Sequence, residues 1–159
     1  MLDHYLKGNA VRTPQRGKHF RCEEVYLIGG MQSGLLDHAA FLNSRIPVSI
    51  FSSFVSVERL AVASGEAAMF FIDLDVFDDL AEAVTVLMNF RRRTPVIPTV
   101  IVSHSFKRCD FSTERMYLAD VSLRLPSTSA ALDLALELAP KNFSYFRRNR
   151  VDPVVWITD

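Results

Sequence analysis

Cysteine is scarce. Cys22 and Cys109 stand far apart and outside any metal-ligand spacing. A disulfide framework is thereby excluded as the source of stability, and both thiols read as reduced ones in a cytosolic protein. No apolar run is long enough to cross a bilayer, and the stretch Met1–Lys7 lacks the apolar core of a signal peptide. A cytoplasmic protein without a membrane partner is therefore expected. Net charge is missing too, since 18 Lys and Arg balance 18 Asp and Glu. A domain-wide nucleic-acid binder needs a basic excess, so nucleic acid is not expected as a partner. Tryptophan occurs once, whereas phenylalanine occurs 12 times.

What is present suits one globular domain. A chain of 159 residues buries roughly two-thirds of its unfolded surface, enough to fold without a metal or cross-link. The zero charge hides a segregation. Residues 1–22 carry Lys7, Arg12, Arg16, Lys18 and Arg21 against Asp3 alone, and 141–150 carry four bases and no acid. Residues 23–140 carry the acidic excess. With no period visible, 1–22 reads as a mobile basic arm. The domain is expected over 23–139, followed by an extension, 140–159, that packs on the domain or on a partner chain.

The chain is organised around residues 67–84. An apolar run, Ala67 to Ile72, stops at Asp73. Six apolar residues without alternation suit a strand buried on both faces of a parallel sheet. Acids follow at Asp75, Asp78 and Asp79, and then a helical pattern through Leu80, Val84, Leu87 and Met88. A carboxylate thus ends a central strand, at the edge where open α/β sheets place ligands.

Around this stretch, strand and helix alternate. Val25–Ile28 is a strand, closed by Gly29-Gly30, and Ser33 caps a helix through Leu42. Val48–Phe51 alternates polar and apolar and suits a sheet edge. Ser56 opens a short helix bearing Val57, Leu60 and Ala61, which Gly65 closes. The helix over 78–92 ends in Arg91-Arg92-Arg93, read as a solvated end that complements the helix dipole. Thr99–Val102 is a strand ending at Ser103-His104-Ser105. A short helix is expected around Thr113–Ala119, then a strand, Val121–Leu125. Ser127 or Ser129 caps a last helix, which Pro140 ends. Strict alternation predicts a doubly wound parallel sheet with right-handed crossovers.

Residues 23–139 resemble a response-regulator receiver domain. The resemblance implies a flavodoxin-like α/β fold with strand order 2-1-3-4-5. It implies an acidic pair after the first strand that holds magnesium, an Asp phospho-acceptor after the third, a hydroxyl after the fourth and a Lys-Pro pair after the fifth. Asp73 stands at the acceptor position and Ser103 at the hydroxyl position, with Asp75 and His104 beside them. Gly29-Gly30 stands where the acidic pair belongs, Leu125 replaces the Lys before Pro126, and Ser122 replaces an aromatic switch residue. Magnesium wants near-octahedral oxygen ligands, and Asp73 with Asp75 is a poor set. The reading is a degenerate receiver that acts through protein contacts. It is a regulator and not an enzyme, without metal or cofactor.

Two other readings stay open. One is a working single-domain response regulator with acceptor Asp73. The other is a small nucleotide- or anion-binding enzyme using Gly29, Gly30, Ser33 and Gly34, at the place for phosphate binding between strand and helix. There Leu35-Leu36 replaces the Lys-Ser/Thr of a P-loop. His104 lies between two serines but has no nucleophile elbow, and adjacent strand residues diverge. His4, His19 and His38 show no metal spacing. In receivers the usual contact face includes the fifth strand and the helices flanking it. Here that face would hold Phe111, Met116 and Tyr117, with Trp156 in the apolar tail, and it would serve another signalling protein or a second copy in a homo-oligomer.

Overall fold

The computed structural model describes residues 22–54, 59, 67–93 and 97–149. Five strands form one parallel sheet: β1 (Glu24–Ile28), β2 (Val48–Phe51), β3 (Ala68–Asp73), β4 (Thr99–Ser103) and β5 (Val121–Arg124). Their order is β2-β1-β3-β4-β5, the doubly wound arrangement expected. Register aligns Ile28 with Ile72, Asp73 with Val102, and Ser103 with Arg124. The C-terminal ends of β1, β3, β4 and β5 therefore lie along one edge.

Every residue of β3 is buried, as an unbroken apolar run demands of a central strand. Successive side chains point to opposite faces and sort into two cores. Val25, Leu27, Met69, Phe71, Val100 and Val102 face one way, under Leu35, Leu42, Leu132 and Ala135. Tyr26, Ile28, Phe70, Ile72 and Ile101 face the other, against Ala83, Leu87 and Phe90. Strand β2 is the less buried edge, with Ile50 exposed.

Three helices lie among the described residues: α1 (Ala39–Asn43), α2 (Leu80–Arg93) and α3 (Ser129–Asn149). A 3-10 turn, Gly34–His38, leads into α1, and Ser33 caps it by accepting from the Leu35 N–H at 3.1 Å. Of the short helix expected after Ser56 only Arg59 is among the described residues, and it is helical; the arm up to residue 21 and the tail from residue 150 lie outside them.

Three expectations are corrected. Thr113–Ala119 forms linked turns, with the Leu118 N–H on Arg115 O at 2.8 Å. Continuing a helix would take the Asp120 N–H to the Met116 carbonyl. Instead that N–H joins Thr99 O at 2.8 Å, and Arg91 Nε takes the carbonyl. Second, α3 is capped by Thr128, whose Oγ1 accepts from the Ala131 N–H at 3.1 Å. Ser127 turns back to Arg124 O. Third, Pro140 does not end α3, which contains it and runs on to Asn149. Proline removes one donor from the helix ladder. The second half is held by burial of Phe143 and Phe146, and by Asn142 Nδ2 donating to Phe111 O and Asp120 O at 2.9 and 2.8 Å.

Candidate functional site

The sheet edge brings together most of the residues singled out in the sequence. Asp73 closes β3 with only 1% of its surface exposed. Its Oδ1 accepts from the Asp75 N–H at 2.9 Å, and its Oδ2 takes a short hydrogen bond from the Ser33 hydroxyl. Each carboxylate oxygen therefore has a donor from within the chain.

Gly29 makes the Ser33 contact possible. A Cβ at position 29 would meet Ser33 Oγ at 2.6 Å and Ser33 Cβ at 2.8 Å. Separations under 3.0 Å force something to move, so no carboxylate side chain grows from position 29 while Ser33 holds Asp73. Gly30 faces Val76, 3.9 Å from where its Cβ would be.

Asp75 belongs to a 3-10 turn after β3, Leu74–Val76, and reaches across to the end of β4. Its Oδ1 accepts from the Ser103 hydroxyl. Its Oδ2 accepts from the His104 N–H at 2.8 Å and lies 2.9 Å from His104 Nδ1. Partial burial works against its charge. The His104 N–H, the Ser103 hydroxyl and the His104 ring together outweigh that and hold its carboxyl below the usual range. Ser103 and His104 thus do not diverge as strand neighbours. The strand ends at Ser103, His104 begins a turn, and both meet on one carboxylate. Gly34 completes the cluster, since a Cβ there would lie 2.5 Å from His104 Cε1 and 3.5 Å from Leu125 Cδ1.

The magnesium that the receiver resemblance implies does not fit these residues. Both Asp73 oxygens are engaged, Asp75 is turned toward Ser103 and His104, and position 29 has no room for an acid. Among the described residues, no group of three or more His, Cys, Asp or Glu side chains is placed to hold a metal ion. The Gly29–Gly34 loop opens a five-residue 3-10 turn, with its Ser33 hydroxyl directed at a carboxylate. An anion there would sit beside Asp73.

A second polar centre, not foreseen in the sequence, lies at the opposite end of the strands, where Asp120 directly precedes β5 and its N–H meets Thr99 O at the start of β4. Arg91 is 3% exposed, so it is not part of a solvated helix end. Its Nη1 donates to Asp120 Oδ2 at 3.0 Å, and its Nη2 pairs closely with Oδ1. The guanidinium lies 4.3 Å from the centroid of the Phe146 ring and 5.8 Å from that of Phe143. Burial pushes the Asp120 carboxyl upward, against the pull of Arg91 and the Thr99 N–H. Arg91 stands one helical turn after the buried Leu87, the one available hint in the sequence that it shares an inward face.

The face named in the sequence is only partly open. Phe111 and Met116 are half-buried, while Tyr117 is 57% exposed, its ring edge-on to Phe146 at 6.1 Å. Tyr145 is exposed on α3. Trp156 lies outside the described residues. The segment before β5 also closes that strand's outer side, where Asp110 and Ser122 exchange backbone hydrogen bonds of 2.7 and 2.8 Å. A sheet edge so covered does not invite another strand.

No protein-family model matches the chain, and no curated protein matches its sequence. Its fold does have solved counterparts. A response regulator receiver domain protein from Clostridium thermocellum superposes with a TM-score of 0.58 at 17% identity, covering 77% of this chain and 98% of that one. A Burkholderia pseudomallei chain whose description relates it to pilus assembly gives 0.56 at 19% identity, covering 79% and 94%. A Burkholderia thailandensis chain similarly described gives 0.52 at 21%, covering 74% and 98%. The fold is that of receiver domains.

Proposed function

We propose that the chain is a signal-transduction regulator of the receiver type that works by protein–protein contact, without magnesium-dependent phosphorylation of Asp73. One observation carries this reading: Asp73 is buried with both oxygens hydrogen-bonded inside the protein. A phosphoryl acceptor must lose such donors and meet its donor molecule. The positions that would assist it, 29, 30 and 125, bring no charge.

The Asp75 carboxylate deepens the reading. It already occupies the Ser103 hydroxyl and the His104 N–H. A negatively charged group on the chain itself thus holds the end of β4 as a phosphoryl group would. The domain then presents one surface at all times, and Tyr117 and Tyr145 beside Phe146 are its exposed aromatic part. The partner is another signalling protein or a second copy. The two Burkholderia neighbours favour a recruiting role within a larger assembly, since their descriptions concern pilus assembly.

The test is intact-mass analysis after incubation with acetyl phosphate and magnesium. No adduct dependent on Asp73 is expected. An adduct abolished by Asp73→Ala and retained in His104→Ala would instead establish a working response regulator.

A further inference from the structure

Three exposed apolar side chains gather at the sheet edge, on the loops that follow β1 and β3. Met31 is 91% exposed, Leu80 66% and Val76 41%. The two loops touch, since a Cβ on Gly30 would lie 3.9 Å from Val76 Cγ1. Met31 follows Gly30, and Leu80 opens α2 shortly after Val76. Single exposed apolar residues are ordinary, but a contiguous group marks a contact surface.

The rim of this patch is acidic. Asp78, Asp79 and Glu82 are exposed around Leu80. Asp79 has a local task, its Oδ1 accepting from the Ala81 N–H at 3.0 Å. No Lys or Arg among the described residues pairs with any of the three. From Glu23 to Phe90 the bases are Arg45 and Arg59 alone, against ten acids, and Arg45 is engaged by Asp133 at 3.0 Å. The occupant that complements this surface is apolar and basic.

Two segments of the chain have that character. Arg147 and Arg148 sit on α3 beside Phe146, which seals Arg91 at the opposite end of the strands, and the helix keeps them there. The arm, residues 1–21, lies outside the described residues. It carries Lys7, Arg12, Arg16, Lys18 and Arg21, with Tyr5, Leu6 and Val11 among the apolar residues near its bases. It also has the reach. The eight residues from Cys22 to Gly30 span about 26 Å at most. The eleven from Cys22 back to Val11 span up to about 36 Å.

We infer that the basic arm lies back over the sheet edge of its own chain, with Tyr5, Leu6 and Val11 on Met31, Val76 and Leu80, and with Lys7 and Arg12 among Asp78, Asp79 and Glu82. A partner of that edge must displace the arm first, which makes the contact autoinhibitory. The inference does not rest on the behaviour of Asp73.

Carbodiimide cross-linking of the full chain at low concentration and low salt, followed by peptide mapping, tests it. Lys7 should be joined to Asp78, Asp79 or Glu82 within the monomer, several-fold more often than to any other acid. High salt should reduce the link several-fold, because exposed charge pairs are screened. Lys7→Glu should abolish it. Reversing both sides at once, Lys7→Glu with Asp78→Lys and Glu82→Lys, should restore a link between positions 7 and 78 or 82. These positions are exposed or in the arm, and Asp79 stays in place as the cap of α2. In amide spectra, Lys7→Glu with Arg12→Glu should shift Gly30, Met31, Val76 and Leu80 at any protein concentration. Links that are absent, spread evenly over the acids, or found only between two chains would overturn the inference, as would unmoved amides at those four positions. An Asp73 adduct in the acetyl phosphate experiment would count against the proposed function alone.

Discussion

At the scale of single residues, the sheet edge depends on two carboxylates with different tasks. Asp73 is sealed by Ser33, and Asp75 ties the end of β4. Ser33→Ala leaves a buried carboxylate oxygen without its donor, which costs about 1–3 kcal/mol. Chemical denaturation should show that loss at unchanged slope. The pH response follows from which form the fold prefers. Burial lowers the affinity of His38 for its proton from an ordinary value of 6.5, and its Nε2 must be unprotonated to accept from Ser127. The folded state therefore binds this proton less well than the unfolded chain does. Its contribution is complete above 6.5 and lost as the pH falls through that value. Asp75, lowered from 3.8, loses its contribution below that point. Thermal midpoints should fall between about pH 7 and 5 in the wild type, and fall less in His38→Gln. A parallel decline in both would dismiss His38 as the cause.

At the scale of elements, α3 packs against two separate centres. Its first half covers one core, and its second half seals Arg91 with Phe143 and Phe146. Truncation after Ala139 removes two buried aromatics, and Phe→Ala changes in cores cost about 3–5 kcal/mol each, so this form should not fold. Asp120→Ala leaves Arg91 buried and unpaired, a loss of about 3–5 kcal/mol that urea unfolding would read directly. These features also mark the limit of what was legible. The strands were readable because buried parallel strands are continuous apolar runs, as in Ala67–Ile72, whereas their order came from the receiver resemblance. Pro140 misled because local propensity says nothing of Phe143 and Phe146, whose burial overrides one missing donor. The Thr113–Ala119 turns could not be foreseen, because the competing partners of Met116 O and the Asp120 N–H come from α2 and β4. The Asp75 tie was equally hidden. It joins residues 28 positions apart in sequence, and only the β3–β4 register brings them together.

At the scale of the whole molecule, the proposed function implies a receiver fold with one resting state and a permanently available surface. Self-association or partner binding through Tyr117 and Tyr145 should be the same in the wild type and in Asp73→Ala. Sedimentation at rising concentration checks it, and Tyr117→Ser with Tyr145→Ser should weaken any association. A wild type that stays monomeric throughout would rule out the second copy as occupant. The central claim, that Asp73 does not switch the domain, is tested most directly by amide spectra of wild type and Asp73→Asn with magnesium and acetyl phosphate added together. The account predicts that the two proteins respond alike at Gly29, Gly30, Asp75, Ser103 and Tyr117. Saturable shifts at those amides in the wild type that are absent from Asp73→Asn would contradict it.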